Sequence, residues 1–202
     1  MEAVLWDADG VLQHLPDGWE ASMRPVVGHL VDDVESFLAE AFAAERPALT
    51  GEARWIEVLP ELLDKWGLAD SFDDAMRVWL TIEPVTETRE LVESLRAAGV
   101  GCYLATNQDE HRGRHMHTTL GYGDLLDDCF YSYELGVAKP DPAYFTTVLE
   151  RLGLPAGGVL FVDDNDVNVA SARSVGLRAE CWHVRDGVAA LVDHLRRHGF
   201  PV

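Results

Sequence analysis

Val4-Leu5-Trp6-Asp7-Ala8-Asp9-Gly10-Val11-Leu12 sets two carboxylates, two residues apart, directly after a short apolar run. The run has the length and composition of a buried strand, and Gly10 frees the chain for a tight turn just past it. Asp7 and Asp9 are thereby expected to share one site at a strand tip. An aspartate in that place is commonly no more than a turn or helix-capping residue. The reading therefore depends on what the rest of the chain brings beside it.

Four comparable runs follow, at Val100 to Ala105, Cys129 to Tyr133, Val159 to Val162 and Arg178 to Val184. Helix-period stretches separate them: Glu87 to Ala98, Glu110 to Leu120, Ala143 to Leu152 and Asn165 to Val175. Gly99, Gly153 and Gly176 each stand just past such a stretch, where a left-handed residue closes a helix. Strands alternating with helices of this length predict right-handed crossovers, a parallel sheet of about five strands and helices on both faces. Reactive groups then belong at the carboxyl ends of the strands. From Pro16 to Pro84 the pattern changes to helix-period apolar residues with no convincing strand. Residues 16–83 are accordingly expected to form a helical insert in a core made of 1–15 and 84–202. The insert's Trp19, Trp55, Trp66 and Trp79 are expected to fill the core of a small bundle rather than to line a pocket.

Three later segments end strands with chemistry-bearing residues. Ala105-Thr106-Asn107 offers a hydroxyl and backbone N–H groups that can hold an oxyanion, although Thr and Asn also begin turns. Val137-Ala138-Lys139-Pro140-Asp141-Pro142 fixes a lysine in a loop stiffened by two prolines. Leu160-Phe161-Val162-Asp163-Asp164-Asn165 puts adjacent carboxylates at a strand tip, where their repulsion calls for a cation. Oxygen ligation by a few carboxylates suits Mg²⁺, which retains waters and leaves room for a phosphate. Helix capping accounts for one of the two aspartates and not for both.

Strand-DxDG, strand-Thr, Lys-Pro and strand-Asp-Asp, in that order, resemble the four motifs of the haloacid dehalogenase superfamily. Tyr131-Ser132, Gly136, Asn168-Val169 and Ala172 add a resemblance to its helical-capped, phosphatase-like branch. The resemblance implies a Rossmann-like, doubly wound α/β core with a helical-bundle cap inserted after the first motif. It further implies a Mg²⁺-dependent phosphatase in which Asp7 attacks phosphorus to form an aspartyl-phosphate. Asp9 would protonate the leaving alcohol and later activate water, which requires a pKa near the working pH. Thr106, Asn107 and Lys139 would hold the phosphate. Asp7, the backbone carbonyl of Asp9, and Asp163 and Asp164 would hold the metal, with Asp164 favoured as the direct ligand of the acidic pair.

Composition narrows the partners. A formal charge of −19, from 35 acidic against 16 basic residues, argues against nucleic acid, whose phosphates are held by clustered Lys and Arg. An anionic substrate then needs local positive charge, which a metal and Lys139 would supply. No segment reads as membrane-spanning and no signal peptide is apparent, so a cytoplasmic location and no membrane partner are expected. Cys102, Cys129 and Cys181 form no CxxC pair and read as buried free thiols. A small phosphorylated metabolite is the expected partner, and a monomer or homodimer the expected assembly.

Among alternative readings, Asp9 speaks against a dehalogenase, which resembles the motif set but lacks the second carboxylate. Lys65, the insert's only lysine, reads as a surface residue rather than a Schiff-base lysine. A sugar phosphomutase of the same superfamily and a non-catalytic phospho-ligand-binding or regulatory protein remain as alternatives. His111, His115 and His117 read as a solvated helix face rather than a second metal site.

Overall fold

The computed structural model describes residues 2–28 and 33–202; Met1 of the expected core and residues 29–32 of the expected insert lie outside the described residues. In chain order the elements are β1 (Ala3–Trp6), β2 (Gln13–His14), α1 (Gly18–Val27), α2 (Val34–Leu49), α3 (Trp55–Lys65), α4 (Phe72–Trp79), β3 (Glu83–Pro84), α5 (Thr86–Ala97) and β4 (Gly101–Thr106). There follow α6 (Glu110–Thr118), α7 (Tyr122–Leu125), β5 (Asp128–Tyr131), α8 (Ser132–Leu135), α9 (Pro142–Leu152), β6 (Val159–Asp163), α10 (Asp166–Ser174), β7 (Arg178–Cys181) and α11 (Val188–Arg197).

The expected parallel α/β sheet is found. Its order is β5-β4-β1-β6-β7 and every pairing in it is parallel. The central strand β1 is buried along its whole length, because helices cover both faces. Side chains alternate across it: Val4 and Trp6 join one apolar cluster with Leu104, Val162 and Leu191, while Ala3 and Leu5 join the other with Phe145, Phe161 and Ala179. The ladder runs on past β1, with Asp7 N–H donating to Val162 O at 2.9 Å. That bond carries Asp7 to the same level as Asp163 on the neighbouring strand.

Several elements differ from those expected from the sequence. The stretch expected to lack strands contains β3, which pairs antiparallel with β2, two residues on each side. A pair so short has no detectable period, and Pro84 fits only because it sits at an edge. The run expected to continue to Tyr133 ends at Tyr131, where the chain turns into α8 and closes at the left-handed Gly136. The run expected to reach Val184 stops at Cys181. α11, unmarked in the sequence reading, buries Leu191 and Leu195. Cys181 is exposed rather than buried, while Cys102 and Cys129 are buried and all three are free.

Helices α1 to α4 build their own apolar cluster, centred on Phe37, Leu59, Leu63, Trp55 and Trp79. Trp55 and Trp79 are buried and stack at 4.8 Å between ring centroids. Trp66 is half-buried and donates to Glu40. Lys65 pairs with Glu40 on the outside of this layer, as expected of a surface lysine. Among the described residues no helix is long and apolar enough to cross a membrane.

One carboxyl of this layer is poised to titrate near neutrality. Burial of Glu45, reinforced by nearby Asp109, pushes its carboxyl up to about 7 against the opposing donation from Trp79 Nε1 at 3.1 Å. The folded state therefore holds this proton at pH values where the unfolded chain has lost it. Its contribution to stability is complete below about pH 4.5 and is lost as pH rises through about 7. Denaturant titrations at a series of pH values should show the wild type losing up to about 3 kcal/mol across that interval relative to Glu45→Gln. Parallel pH profiles for the two proteins would refute this.

Candidate active site

Four strand ends converge on one cavity of about 670 Å³, lined by Asp7, Asp9 and Gly10 from the β1 turn, Thr106 and Asn107 after β4, Lys139, and Asp164, Asn165 and Asn168 after β6. His14, Leu15, Pro16 and Trp19 form another part of the wall, together with His183, Val184 and Arg185 beyond β7. Trp19 thus lines the cavity while also packing at 4.7 Å on Trp79, a correction to its expected role in the bundle core alone. Every residue singled out in the sequence for chemistry reaches this cavity or its immediate wall.

Lys139 is the cationic hub. Its side chain is 1% exposed, and Nζ lies 2.8 Å from Asp7 Oδ1 and 2.6 Å from Asp163 Oδ2. Burial alone would lower its pKa, but Asp7 and Asp163 outweigh that and raise it, so it stays charged. The Asn107 side chain holds the lysine loop in place from both sides, accepting from Lys139 N–H at 2.8 Å and donating to Lys139 O at 2.7 Å. Asp163 is fully buried and accepts from Lys139, from Asn165 N–H at 2.8 Å and from the Asn168 amide at 3.1 Å.

The carboxylates outnumber the cation. Asp7, Asp163 and Asp164 offer oxygens that all lie within 4.8 Å of one another. Burial and then Asp163 push the Asp7 carboxyl well up, only partly opposed by Lys139. Asp164 is likewise raised, by burial and by Asp163. Among the described residues the Asp164 carboxylate has no hydrogen-bond donor. A site with this surplus of negative charge, one carboxylate free of donors and oxygen donors throughout suits a hard divalent cation.

Asp9 has a different environment. Its Oδ1 accepts from Arg112 Nη2 at 2.9 Å and Gln13 Nε2 at 3.0 Å, and its Oδ2 from Arg112 Nη1 at 2.7 Å and Gln108 Nε2 at 2.8 Å. Burial would raise its pKa, but the Arg112 guanidinium and these hydrogen bonds hold it at about 2. Although 46% of the side chain faces open space, its ionisation is fixed by the bidentate ion pair, which desolvation opposes only in part. Arg112 and the two glutamine amides thus favour the ionised form of Asp9 in this arrangement.

A family model described as haloacid dehalogenase-like hydrolase matches residues 1–176. The chain belongs to the haloacid dehalogenase-like hydrolases. It is 33% identical over 192 residues to a phosphoglycolate phosphatase of Rhodospirillum rubrum, covering 87% of this chain and 77% of that one. Drimenol cyclase drtB of Aspergillus calidoustus is 47% identical over 106 residues, and sesquiterpene phosphatase astK of Aspergillus oryzae is 32% identical over 115. Those two matches take in 51% and 55% of this chain but only 20% and 56% of the relatives' lengths. A HAD-like family hydrolase from Porphyromonas gingivalis superposes with a TM-score of 0.81 at 22% identity, over 98% of both chains. A HAD family enzyme from Bacteroides thetaiotaomicron, solved in complex with magnesium and inorganic phosphate, gives 0.77 at 21% identity over 90% of this chain and 93% of that one. At such identities these structures bear on the fold.

In this haloacid dehalogenase-like hydrolase Gln13, Gln108 and Arg112 join the site although nothing in the sequence singled them out. All three are nearly inaccessible, at 0%, 2% and 4% exposure. The only local signal is at the start of α6, where Asp109 accepts from His111 N–H and Arg112 N–H and so caps the helix.

Proposed function

We propose that this hydrolase is a Mg²⁺-dependent phosphatase acting on phosphoric monoesters of a small phosphorylated metabolite, with Asp7 as nucleophile. The observation that carries the reading is the Asp7 carboxylate set against the Lys139 ammonium at 2.8 Å, in the cavity that Thr106 and Asn107 also line. Residues 1–15 and 84–202 act as the catalytic core and residues 16–83 as its helical cap. A cytoplasmic location, and action as a monomer or homodimer, complete the reading.

Asp7 attacks phosphorus, the bond from phosphorus to the ester oxygen breaks, and the phosphoryl group passes to the Asp7 oxygen. Water then attacks that phosphorus and the bond to Asp7 breaks, releasing phosphate and restoring the carboxylate. Thr106 and Asn107 orient the phosphoryl oxygens, and Lys139 balances their charge. Asp9 serves the proton transfers at the leaving oxygen and at the water. Mg²⁺ fits Asp7, the Asp9 backbone carbonyl and Asp164, with Asp163 binding directly or through water, and would supply Lewis-acid stabilisation of the phosphoryl oxygens. The existing bonds of Asp163 to Lys139, Asn165 and Asn168 favour Asp164 as the direct ligand.

Gly10 supports the metal position sterically. It adopts φ +78°, and a Cβ there would stand 2.5 Å from Asp164 Oδ2. Gly10→Ala is expected to raise the magnesium concentration needed for half-maximal activity by about tenfold or more. A magnesium titration unchanged from wild type would contradict this placement.

The reading is tested by phosphate release from p-nitrophenyl phosphate and a panel of phosphorylated metabolites, with magnesium or with chelator. Magnesium-dependent release supports it, and the ranking of the panel begins to name the substrate. Absence of release from every ester by folded, magnesium-loaded protein would sink it and turn attention to sugar phosphate isomer exchange, the activity of a phosphomutase.

A further inference from the structure

Among the described residues, three side chains with a lasting positive charge line the cavity, and two of them are committed. Lys139 is shared between Asp7 and Asp163, and Arg112 holds both oxygens of Asp9. The third, Arg185, lies beyond β7 and is exposed. Among the described residues its guanidinium has no ion-pair or hydrogen-bond partner, although its backbone N–H donates to His183 Nδ1 at 2.9 Å. The chain has acid to spare, with a formal charge of −19, and the exposed Arg24, Arg54, Arg77 and Arg96 each take a carboxylate. Asp186, next to Arg185 in the chain, does not serve it. Its carboxylate accepts from His183 N–H at 3.0 Å and closes a capping box there.

The segment that carries Arg185 is fixed to the site. Trp182 N–H donates to Asp163 O at 3.0 Å, and Val184 N–H donates to Gly10 O at 2.7 Å, on the turn that carries Asp7 and Asp9. The buried Trp182 ring donates from Nε1 to Gly187 O at 3.2 Å, which closes the segment from its other end. The backbone at Arg185 is thus placed by the catalytic turns, and its side chain alone lacks an anchor.

The cavity has room for more than a phosphoryl group. Its volume of about 670 Å³ lies within the roughly 300–1,000 Å³ that takes a whole small organic molecule. Leu15, Pro16, Trp19 and Val184 give part of the wall an apolar surface for the body of a leaving group. An unpaired guanidinium on the same wall suits an oxyanion carried by that body, since Arg grips carboxylate and phosphate through two parallel N–H donors.

We propose that Arg185 forms a second anion subsite, so that the preferred substrate is a phosphoric monoester whose leaving group carries a further oxyanion, either a carboxylate or a second phosphate. This rests on the phosphatase reading for the ester that is cleaved, but not for the anion that Arg185 holds.

Binding and turnover test it separately. Non-hydrolysable ω-carboxyalkyl phosphonates and α,ω-bisphosphonates of increasing chain length are each compared with the neutral ω-carboxamide of the same length, by calorimetry with magnesium present. At the length that spans the two subsites, wild type is expected to bind a charged member more tightly than the carboxamide by about tenfold or more, and the series that does so names the oxyanion. Arg185→Met should bring that ratio to within about twofold, with Arg185→Lys between. Equal affinity for charged and neutral members at every length, no binding of any phosphonate, or a preference that survives Arg185→Met would overturn the proposal. The matching phosphate esters should show the same ratio in kcat/KM. If wild type binds the charged phosphonates through Arg185 but releases no phosphate from any ester, the phosphatase reading fails and the subsite stands. If it releases phosphate but shows no such preference in binding, the subsite fails and the phosphatase reading stands.

Discussion

Replacing Asp7 with Asn is expected to lower magnesium-supported phosphate release by roughly 10⁴-fold or more, over 5 kcal/mol of transition-state stabilisation. The amide keeps the size of the side chain but has no carboxylate oxygen to attack phosphorus. It should not unfold the protein. Asp7 lies among the Asp163 and Lys139 charges, and its carboxyl is pushed up first by burial and then by Asp163. A neutral amide removes that repulsion while giving up one attraction to Lys139, so stability should change by no more than about 1 kcal/mol. Activity and thermal denaturation measured on the same preparation separate the two effects. Retention of a tenth of wild-type activity in a folded Asp7→Asn protein would exclude Asp7 as the nucleophile. A phosphorylated species trapped in the wild type, seen by intact mass and absent from the variant, would complete the assignment.

Lys139→Met should carry the largest stability effect. The ammonium is shared between Asp7 and Asp163, with almost no exposure on either the lysine or Asp163. Methionine fills the space, and its contact with Phe161, 5.2 Å from the present ammonium, is kept in kind. What it leaves is two neighbouring buried carboxylates with no protein cation between them. Breaking a buried pair in this way costs on the order of 3–5 kcal/mol. The folded-state pKa of Asp7 should rise further, so the deficit should grow as pH rises past the ordinary carboxylate range and shrink toward acid, where protonation relieves the repulsion. Magnesium, binding the folded state, should recover part of the loss. Denaturant midpoints with chelator and with magnesium check both points. Equal stability of variant and wild type in chelator would mean that Lys139 does not balance the acidic cluster.

Both predictions concern residues that local sequence makes legible. Asp7, Thr106, Lys139 and Asp163 each follow an apolar strand signal or lie in a proline-stiffened loop, and a parallel sheet brings its strand ends together whatever the details of packing. Trp19 shows where this local reading stops. Its helix-period neighbours place it in a bundle, but nothing in that period says that α1 lies at the mouth of the cavity. β3 is hidden for a simpler reason: two residues cannot display alternation.

Asp9 marks the boundary most sharply. Its position at the β1 tip is written in the DxDG turn, whereas its ionisation depends on Arg112, 103 residues away, and that side chain is oriented by a bond to Trp79, 33 residues back. In sequence, α6 reads Glu110-His111-Arg112-Gly113-Arg114-His115-Met116-His117-Thr118, a largely polar run whose one apolar side chain is Met116 and in which nothing marks Arg112 as buried. Its inward face is mixed: Met116 joins the apolar core beside Leu104, while Arg112 covers a carboxylate.

Local pattern was enough for the parallel α/β core, for the helical character of the stretch that holds α1 to α4 and for the meeting of Asp7, Asp9, Thr106, Lys139, Asp163 and Asp164, because strand period, glycine turns and strand-end position are properties of short segments that topology then gathers. Only the packed fold set how each of those groups is charged and held: the Lys139 bridge between Asp7 and Asp163, the raised Glu45 carboxyl beneath Trp79, and the closure of Asp9 by Arg112, Gln13 and Gln108. Desolvation and Coulomb energy depend on distances through space between residues far apart in the chain, and those distances exist only once the core and insert have packed.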